Sequence, residues 1–237
     1  MRNNFSIPVA VIIAGALIAG ALLYNNKGNS GYDSNLGAVA DSEPIAEEKI
    51  VDINIRSVSG NDHILGNVNA PIKIVEFSDL ECPFCKSFHP TMKKIMEEYG
   101  KSGKVAWVYR HFPIDQLHSK ARKEAEATEC AAEQGGEIKF WGYIDRLFEV
   151  TPSNDRLDLE LLPQIAEDVG LNRLSFEQCL ESGKYAQRVA DDLSDAITAG
   201  GTGTPYSVLI APNGEKFPIL GAQSFSEVKT IIESALK

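Results

Sequence analysis

Two thiols set two residues apart, in Cys82-Pro83-Phe84-Cys85, stand at the junction between a strand-like run and a helix-like run, and no other stretch constrains the fold as much. Before the junction, Ile72-Lys73-Ile74-Val75-Glu76-Phe77 carries apolar residues on both alternating faces, as a strand inside a sheet does. After it, Phe88, Met92, Ile95, Met96 and Tyr99 recur at helical spacing, and Gly100 supplies a stop signal. Cys82 is therefore expected at the helix N-cap, Pro83 at the first helical position that proline favours, and Cys85 at the third.

At an N-cap the Cys82 sulfur faces unpaired N–H groups and the positive end of the helix dipole. Both stabilise a thiolate over a thiol and lower its pKa from an ordinary value of about 8.5. Cys85, one turn in and turned toward the sheet, is expected to be buried and to act second, resolving a mixed disulfide formed on Cys82. Half of a zinc site is the competing reading, but a structural site takes four ligands, usually with a second closely spaced pair. Cys130 and Cys179 stand singly, His89 could add one ligand and no fourth is evident, so no metal is expected.

The segment Val75 to Cys85 resembles the active-site region of thioredoxin-fold proteins, most closely the DsbA-like thiol:disulfide oxidoreductases. The likeness runs through Asp62-His63-Ile64-Leu65-Gly66 into Ala70-Pro71, then through Tyr109-Arg110-His111-Phe112-Pro113 and Gly203-Thr204-Pro205, and covers residues 50–237. It implies an α/β, thioredoxin-like fold with a helical insertion at about 115–199, and no cofactor. It also implies a cis proline at Pro205 packed against the two cysteines, with the Thr204 backbone open to a substrate peptide. Glu76, six residues before Cys82, matches the family's buried acid, which would exchange protons with Cys85 as that thiol becomes nucleophile or leaving group. Without the resemblance, Pro205 could be an ordinary trans proline opening a strand, and Glu76 an acid at a strand end reaching water. Phe84 stands where many DsbA proteins carry histidine, so one side-chain donor to the thiolate is missing, which argues against strongly oxidising behaviour.

Beyond Pro205, Tyr206 to Ile210 favours a strand, Pro212-Asn213-Gly214 a turn, and Glu215 to Leu220 a hairpin partner that Pro218 confines to a sheet edge. Gly200-Gly201-Thr202-Gly203 lacks the Gly-Lys-Ser/Thr ending of a phosphate loop and leads into a strand, so no nucleotide is expected. Asp79 and Glu81 are expected to be solvated surface groups that slightly oppose thiolate formation. His63, His89, His111 and His118 receive no catalytic role. Phe140, Ile144, Leu147 and Phe148, then Leu159, Leu162, Ile165, Ala166 and Val169, form core-facing helical stripes, with Trp141 and Tyr143 able instead to line a substrate groove. Phe225, Val228, Ile231, Ile232 and Leu236 indicate a final helix covering the sheet.

With 43% hydrophobic residues, 237 residues can hold one such domain plus terminal material, and 23 basic against 33 acidic side chains argue against a nonspecific nucleic-acid binder. Ile7 to Tyr24 is a nearly unbroken apolar run of 18 residues after Arg2. It is expected to be an uncleaved transmembrane helix with its N-terminus cytoplasmic. A cleaved signal peptide is the alternative, although Ala38-Val39-Ala40 lies far beyond the apolar run. Residues 1–24 are then the anchor and 25–49 a tether spanning about 25–30 Å. The domain would lie in the periplasm or at the cell surface, an oxidising location in which Cys130 and Cys179 are expected to pair, with two buried free thiols as the alternative. The expected activity is thiol–disulfide exchange on cysteine-containing extracytoplasmic proteins, forming disulfides and served by a membrane or soluble redox partner. Reductase and isomerase directions use the same residues, and a thioredoxin-like binding or chaperone module with incidental thiols stays open.

Overall fold

The computed structural model describes residues 53–237; the expected membrane segment Ile7 to Tyr24 and the tether 25–49 lie outside them. Among the described residues five strands, β1 (His63–Gly66), β2 (Ile72–Ser78), β3 (Val105–His111), β4 (Tyr206–Ile210) and β5 (Lys216–Leu220), form one sheet in the order β1-β3-β2-β4-β5. The run that is apolar on both faces, β2, is central. It pairs parallel with β3 and antiparallel with β4, while β1 and β5 close the two edges antiparallel. Pro218 sits in edge strand β5, where its missing N–H interrupts no interior ladder.

A parallel β2–β3 pair needs a crossover, and α1 (Pro83–Ile95) supplies it, running on through a π-helical turn at Met96–Gly100. Alternation along the strands divides the sheet into two faces. Ile72, Ile74, Val105, Trp107 and Leu209 pack with Phe88, Met92 and Ile95 of α1 and with Val228 and Ile232 of the last helix, α6 (Phe225–Ala235). Leu236, expected with them to cover the sheet, lies just past the end of that helix and is exposed. Val75, Phe77, Val108 and Val208 face the other way, against Ala196 and Ala199.

Between β3 and β4 the chain is helical: α2 (Ala121–Val150), a 3₁₀ turn at Leu159–Leu161, α3 (Leu162–Asp168), α4 (Arg173–Ser182) and α5 (Ala186–Thr198). The fold is thus thioredoxin-like with a helical insertion. α2 breaks at Gly135 and Gly136, where Gly136 takes φ 62°, a conformation that suits a residue without Cβ. Phe140, Ile144, Leu147 and Phe148 are core as their spacing predicts, and Trp141 and Tyr143 are buried with them. Cys130 of α2 and Cys179 of α4 are joined in a disulfide with Cα atoms 5.8 Å apart.

Two buried polar hubs tie the insertion to the sheet. Arg110 of β3 is fully buried, donating from Nε to Asp62 at 2.8 Å and from Nη1 to Asp195 at 2.6 Å. Glu129 of α2 accepts from His63 Nε2 at 3.1 Å and His111 Nε2 at 2.9 Å, and pairs with Arg188 of α5 at 2.6 Å. Burial disfavours charge on Glu129, yet the hydrogen bonds from His111 and His63 outweigh it and hold the carboxyl well below the usual range. His63 and His111 are therefore bound up in structure.

Candidate active site

Cys82 is the N-cap of α1, Pro83 opens the helix, and Cys85 lies at its third position. Helical geometry then turns Cys85 under the sheet-facing side, where it is 0% exposed, and leaves Cys82 at 4% as the reachable sulfur. Both are free thiols. Phe84 between them projects into solvent, 65% exposed. On the far side of the sulfurs, the Thr204–Pro205 bond is cis, and Cys82 Sγ lies 3.4 Å from the Thr204 carbonyl oxygen. Gly201, just before this loop, packs so tightly that a Cβ there would stand 2.9 Å from the Ala196 carbonyl oxygen. Gly201 therefore serves close approach of backbone.

The two thiols differ in acidity because their surroundings differ. The Cys85 thiol beside Cys82, the Thr204 side chain and the N–H groups of Cys85 and Phe84 stabilise negative charge on Cys82, and against the opposing effect of burial they lower its pKa to about 6. Cys85 moves the other way: burial pushes its thiol well up, and the adjacent Cys82 and Glu76 add to this. Glu76 shares the Cys85 side of β2 with Ile72 and Ile74, opposite Tyr109 on β3 and Ser207 on β4. Among the described residues, neither of its oxygens makes a hydrogen bond of ordinary geometry. Burial raises the Glu76 pKa to about 7, with Ser78 and Trp107 near enough to offset part of the rise.

Asp79 and Glu81 depart from expectation. Both are buried, at 1% and 0% exposure, because residues far along the chain cover them. Asp79 Oδ1 accepts from the Glu81 N–H at 2.8 Å, and Oδ2 accepts from the Ile114 N–H at 2.8 Å and from His118 Nδ1 at 2.9 Å. Burial nevertheless outweighs these donors and raises the Asp79 pKa. Glu81 accepts from the Arg156 and Leu157 N–H groups through its carboxylate and from the Asn154 N–H through its carbonyl. The loop that supplies them holds Ser153, Asn154 and Asp155 in the left-handed region, at φ 60°, 59° and 62°. Such residues cost about 1–3 kcal/mol each, a strain that the contacts to Glu81 help to sustain. Glu124 of α2 lies beside Glu81, and burial together with that neighbour raises its pKa to about 9.

Sequence reasoning assigned Asp79 and Glu81 to the surface and did not single out Glu124 or the loop at 151–157. The one available signal was Asp79-Leu80-Glu81, an Asx-turn pattern that points a side chain back onto the backbone. His89 is buried against Asp145, 2.6 Å away, and faces Trp107 and Phe148. Among the described residues, no group of three His, Cys, Asp or Glu side chains is arranged to hold a metal ion, and no helix is long and apolar enough to cross a membrane.

The sequence profile of a family described as Thioredoxin matches residues 58–234. The Na(+)/H(+) antiporter NhaA 3 of Salinispora tropica is 34% identical over 160 residues, which is 68% of this chain but 23% of that protein. The chain thus spans about a quarter of the length of this relative. Among solved structures, DsbA2 of Pseudomonas aeruginosa is similar with a TM-score of 0.63 at 26% identity, covering 76% of this chain and 96% of that one. Alpha-DsbA1 of Wolbachia pipientis is similar with a TM-score of 0.63 at 28% identity, covering 75% of this chain and 92% of that one.

Proposed function

The chain belongs to the thioredoxin family as a DsbA-like protein, a protein dithiol–disulfide oxidoreductase, and from that premise we propose that it works in the direction of disulfide formation. A substrate thiolate attacks Cys82 Sγ of the oxidised enzyme, the Cys82–Cys85 bond breaks, and Cys85 leaves with the electron pair and takes a proton. A second substrate thiolate then attacks the substrate sulfur of the mixed disulfide and expels Cys82 as a thiolate. The substrate loses two electrons and the enzyme gains them.

In this reading Cys82 is the exchanging sulfur, Cys85 closes and opens the active-site disulfide, and Glu76 gives and takes the Cys85 proton. Thr204 and Pro205 orient the substrate peptide. The observation that carries the oxidising direction is the place of Cys82 Sγ at the N-cap of α1, with the Cys85 thiol and the N–H groups of Cys85 and Phe84 turned to it, which lowers its pKa; a stabilised thiolate stabilises the reduced enzyme and so makes its disulfide the better oxidant. The apolar run Ile7 to Tyr24 supports a membrane anchor with the domain outside the cytoplasm, acting on cysteine-containing proteins there.

Titration of the Cys82–Cys85 couple against glutathione tests the direction, and trapping with Cys85→Ala tests the substrate class. An oxidising potential and trapped extracytoplasmic proteins are expected. A strongly reducing potential would sink the oxidase reading. Client binding that persists unchanged in Cys82→Ser would favour a binding module instead.

A further inference from the structure

The buried Asp79 is three residues before the nucleophile, and its backbone N–H donates to Cys85 Sγ at 3.4 Å. A hydrogen-bond donor aimed at a buried sulfur matters most when that sulfur carries charge, since water cannot reach it to do the same. Cys85 carries charge in both halves of the exchange: as leaving group when the disulfide opens, and as attacking thiolate when it closes. Two ionisable neighbours, Cys82 and Glu76, both disfavour that charge when ionised.

Two sets of contacts hold the direction of this N–H: the Ser78 carbonyl of the same peptide accepts from the Phe112 N–H at 2.8 Å, and the Asp79 side chain fixes the turn that follows. Oδ1 closes a turn onto the Glu81 N–H, and the Cys82 N–H bonds back to the Asp79 carbonyl at 3.1 Å, so the four residues from Asp79 to Cys82 form one locked turn. Oδ2 bolts that turn to the segment after β3 through the Ile114 N–H and His118. We propose that Asp79 is a positioning residue for the second cysteine: its carboxylate locks the turn so that its own N–H stays aimed at Cys85 Sγ while negative charge forms there. The inference deepens the exchange reading and rests on Cys85 being the resolving sulfur.

Charge and aim predict opposite signs, which makes the proposal testable. As a nearby negative charge alone, Asp79 would hinder the Cys85 thiolate, and its removal would speed resolution. As the group that aims the N–H, its removal slows resolution.

The readout is the rate at which Cys85 displaces glutathione from a mixed disulfide on Cys82, with Cys82 alkylation in the dithiol protein as the control and thermal unfolding as the check on folding. Asp79→Ala is expected to slow displacement about tenfold, as for loss of one hydrogen bond to a charged group, while the Cys82 alkylation midpoint stays in place. Asp79→Asn keeps an acceptor for the Glu81 N–H, and His118 in its other tautomer can accept from the new amide, but that amide cannot accept from the Ile114 N–H, so the turn stays closed with one outside anchor lost and displacement is expected slower than in the original protein and faster than in Asp79→Ala. An unchanged or faster rate in Asp79→Ala overturns the proposal, as does an equal slowing of Cys82 alkylation.

Should Asp79→Ala not fold, amide hydrogen exchange decides. Cys85→Ala removes the acceptor sulfur and is expected to speed Asp79 exchange at least tenfold with Glu81 unchanged; equal Asp79 rates in the two proteins overturn the proposal. Failure of the exchange reading itself would show separately, as absence of glutathione-linked Cys82 chemistry in the unsubstituted protein.

Discussion

Cys82 Sγ and the Thr204 carbonyl oxygen lie 3.4 Å apart although 122 positions separate the residues, so that sulfur and the backbone before Pro205 form one surface. In the proposed exchange, a substrate cysteine reaches Cys82 alongside that backbone.

The acidity of Cys82 gives the first prediction. Iodoacetamide alkylation of the reduced protein should titrate with a midpoint near pH 6, and Cys82→Ser should abolish both alkylation and exchange. Because the folded pKa is depressed, the stabilisation of the dithiol form is complete above the ordinary value of 9.0 and is lost as pH falls through about 6. The disulfide should therefore become a weaker oxidant relative to glutathione on acidification, read from equilibria at stepped pH.

Glu76 behaves in the opposite sense. A buried carboxyl raised from 4.5 to about 7 contributes stability that is whole below 4.5 and lost as pH rises through 7, about 3 kcal/mol in all. Glu76→Gln should flatten that loss in denaturant titrations between pH 5 and about 8, and at the same time slow exchange about tenfold near neutrality by removing the proton acceptor. Wild-type exchange rates across that range would refute the proton role.

Glu124 should be neutral at pH 7. Its contribution to stability is whole below pH 4.5, falls as pH rises from there, and is fully lost as pH passes through about 9, where Glu124 ionises beside Glu81. Glu124→Gln, of the same shape and uncharged, should remove that loss, so that the variant gains on the parent from pH 4.5 upward, is already the more stable protein at pH 7 and gains no further above about pH 9, measured by thermal unfolding at stepped pH.

At the other hub, Glu129→Ala leaves His63, His111 and Arg188 without their shared carboxylate. A loss of about 3–5 kcal/mol is expected by chemical denaturation, in keeping with breaking a buried ion pair from one side.

The Cys130–Cys179 bridge closes a separation of 49 residues. Replacing both cysteines with alanine should cost about 4 kcal/mol by the chain-entropy estimate and leave the Cys82–Cys85 couple active. A linked 130–179 peptide is expected in nonreducing digests, before and after Cys82 and Cys85 cycle.

Local sequence was enough to place the thiols. A run apolar on both faces had to be an inner strand, Pro83 suited the first turn of a helix, and the spacing of Phe88, Met92 and Ile95 turned Cys85 inward; these depend on contacts within a few residues. Tertiary structure alone decided the environment of Asp79 and Glu81. Acidic side chains in a turn look solvated until Ile114, His118, Arg156 and Leu157 arrive from elsewhere to cover them and donate to them. Backbone periodicity is written into neighbouring residues, whereas the burial and acidity of a side chain depend on whatever the fold brings against it, and here that comes from 35 to 76 positions away.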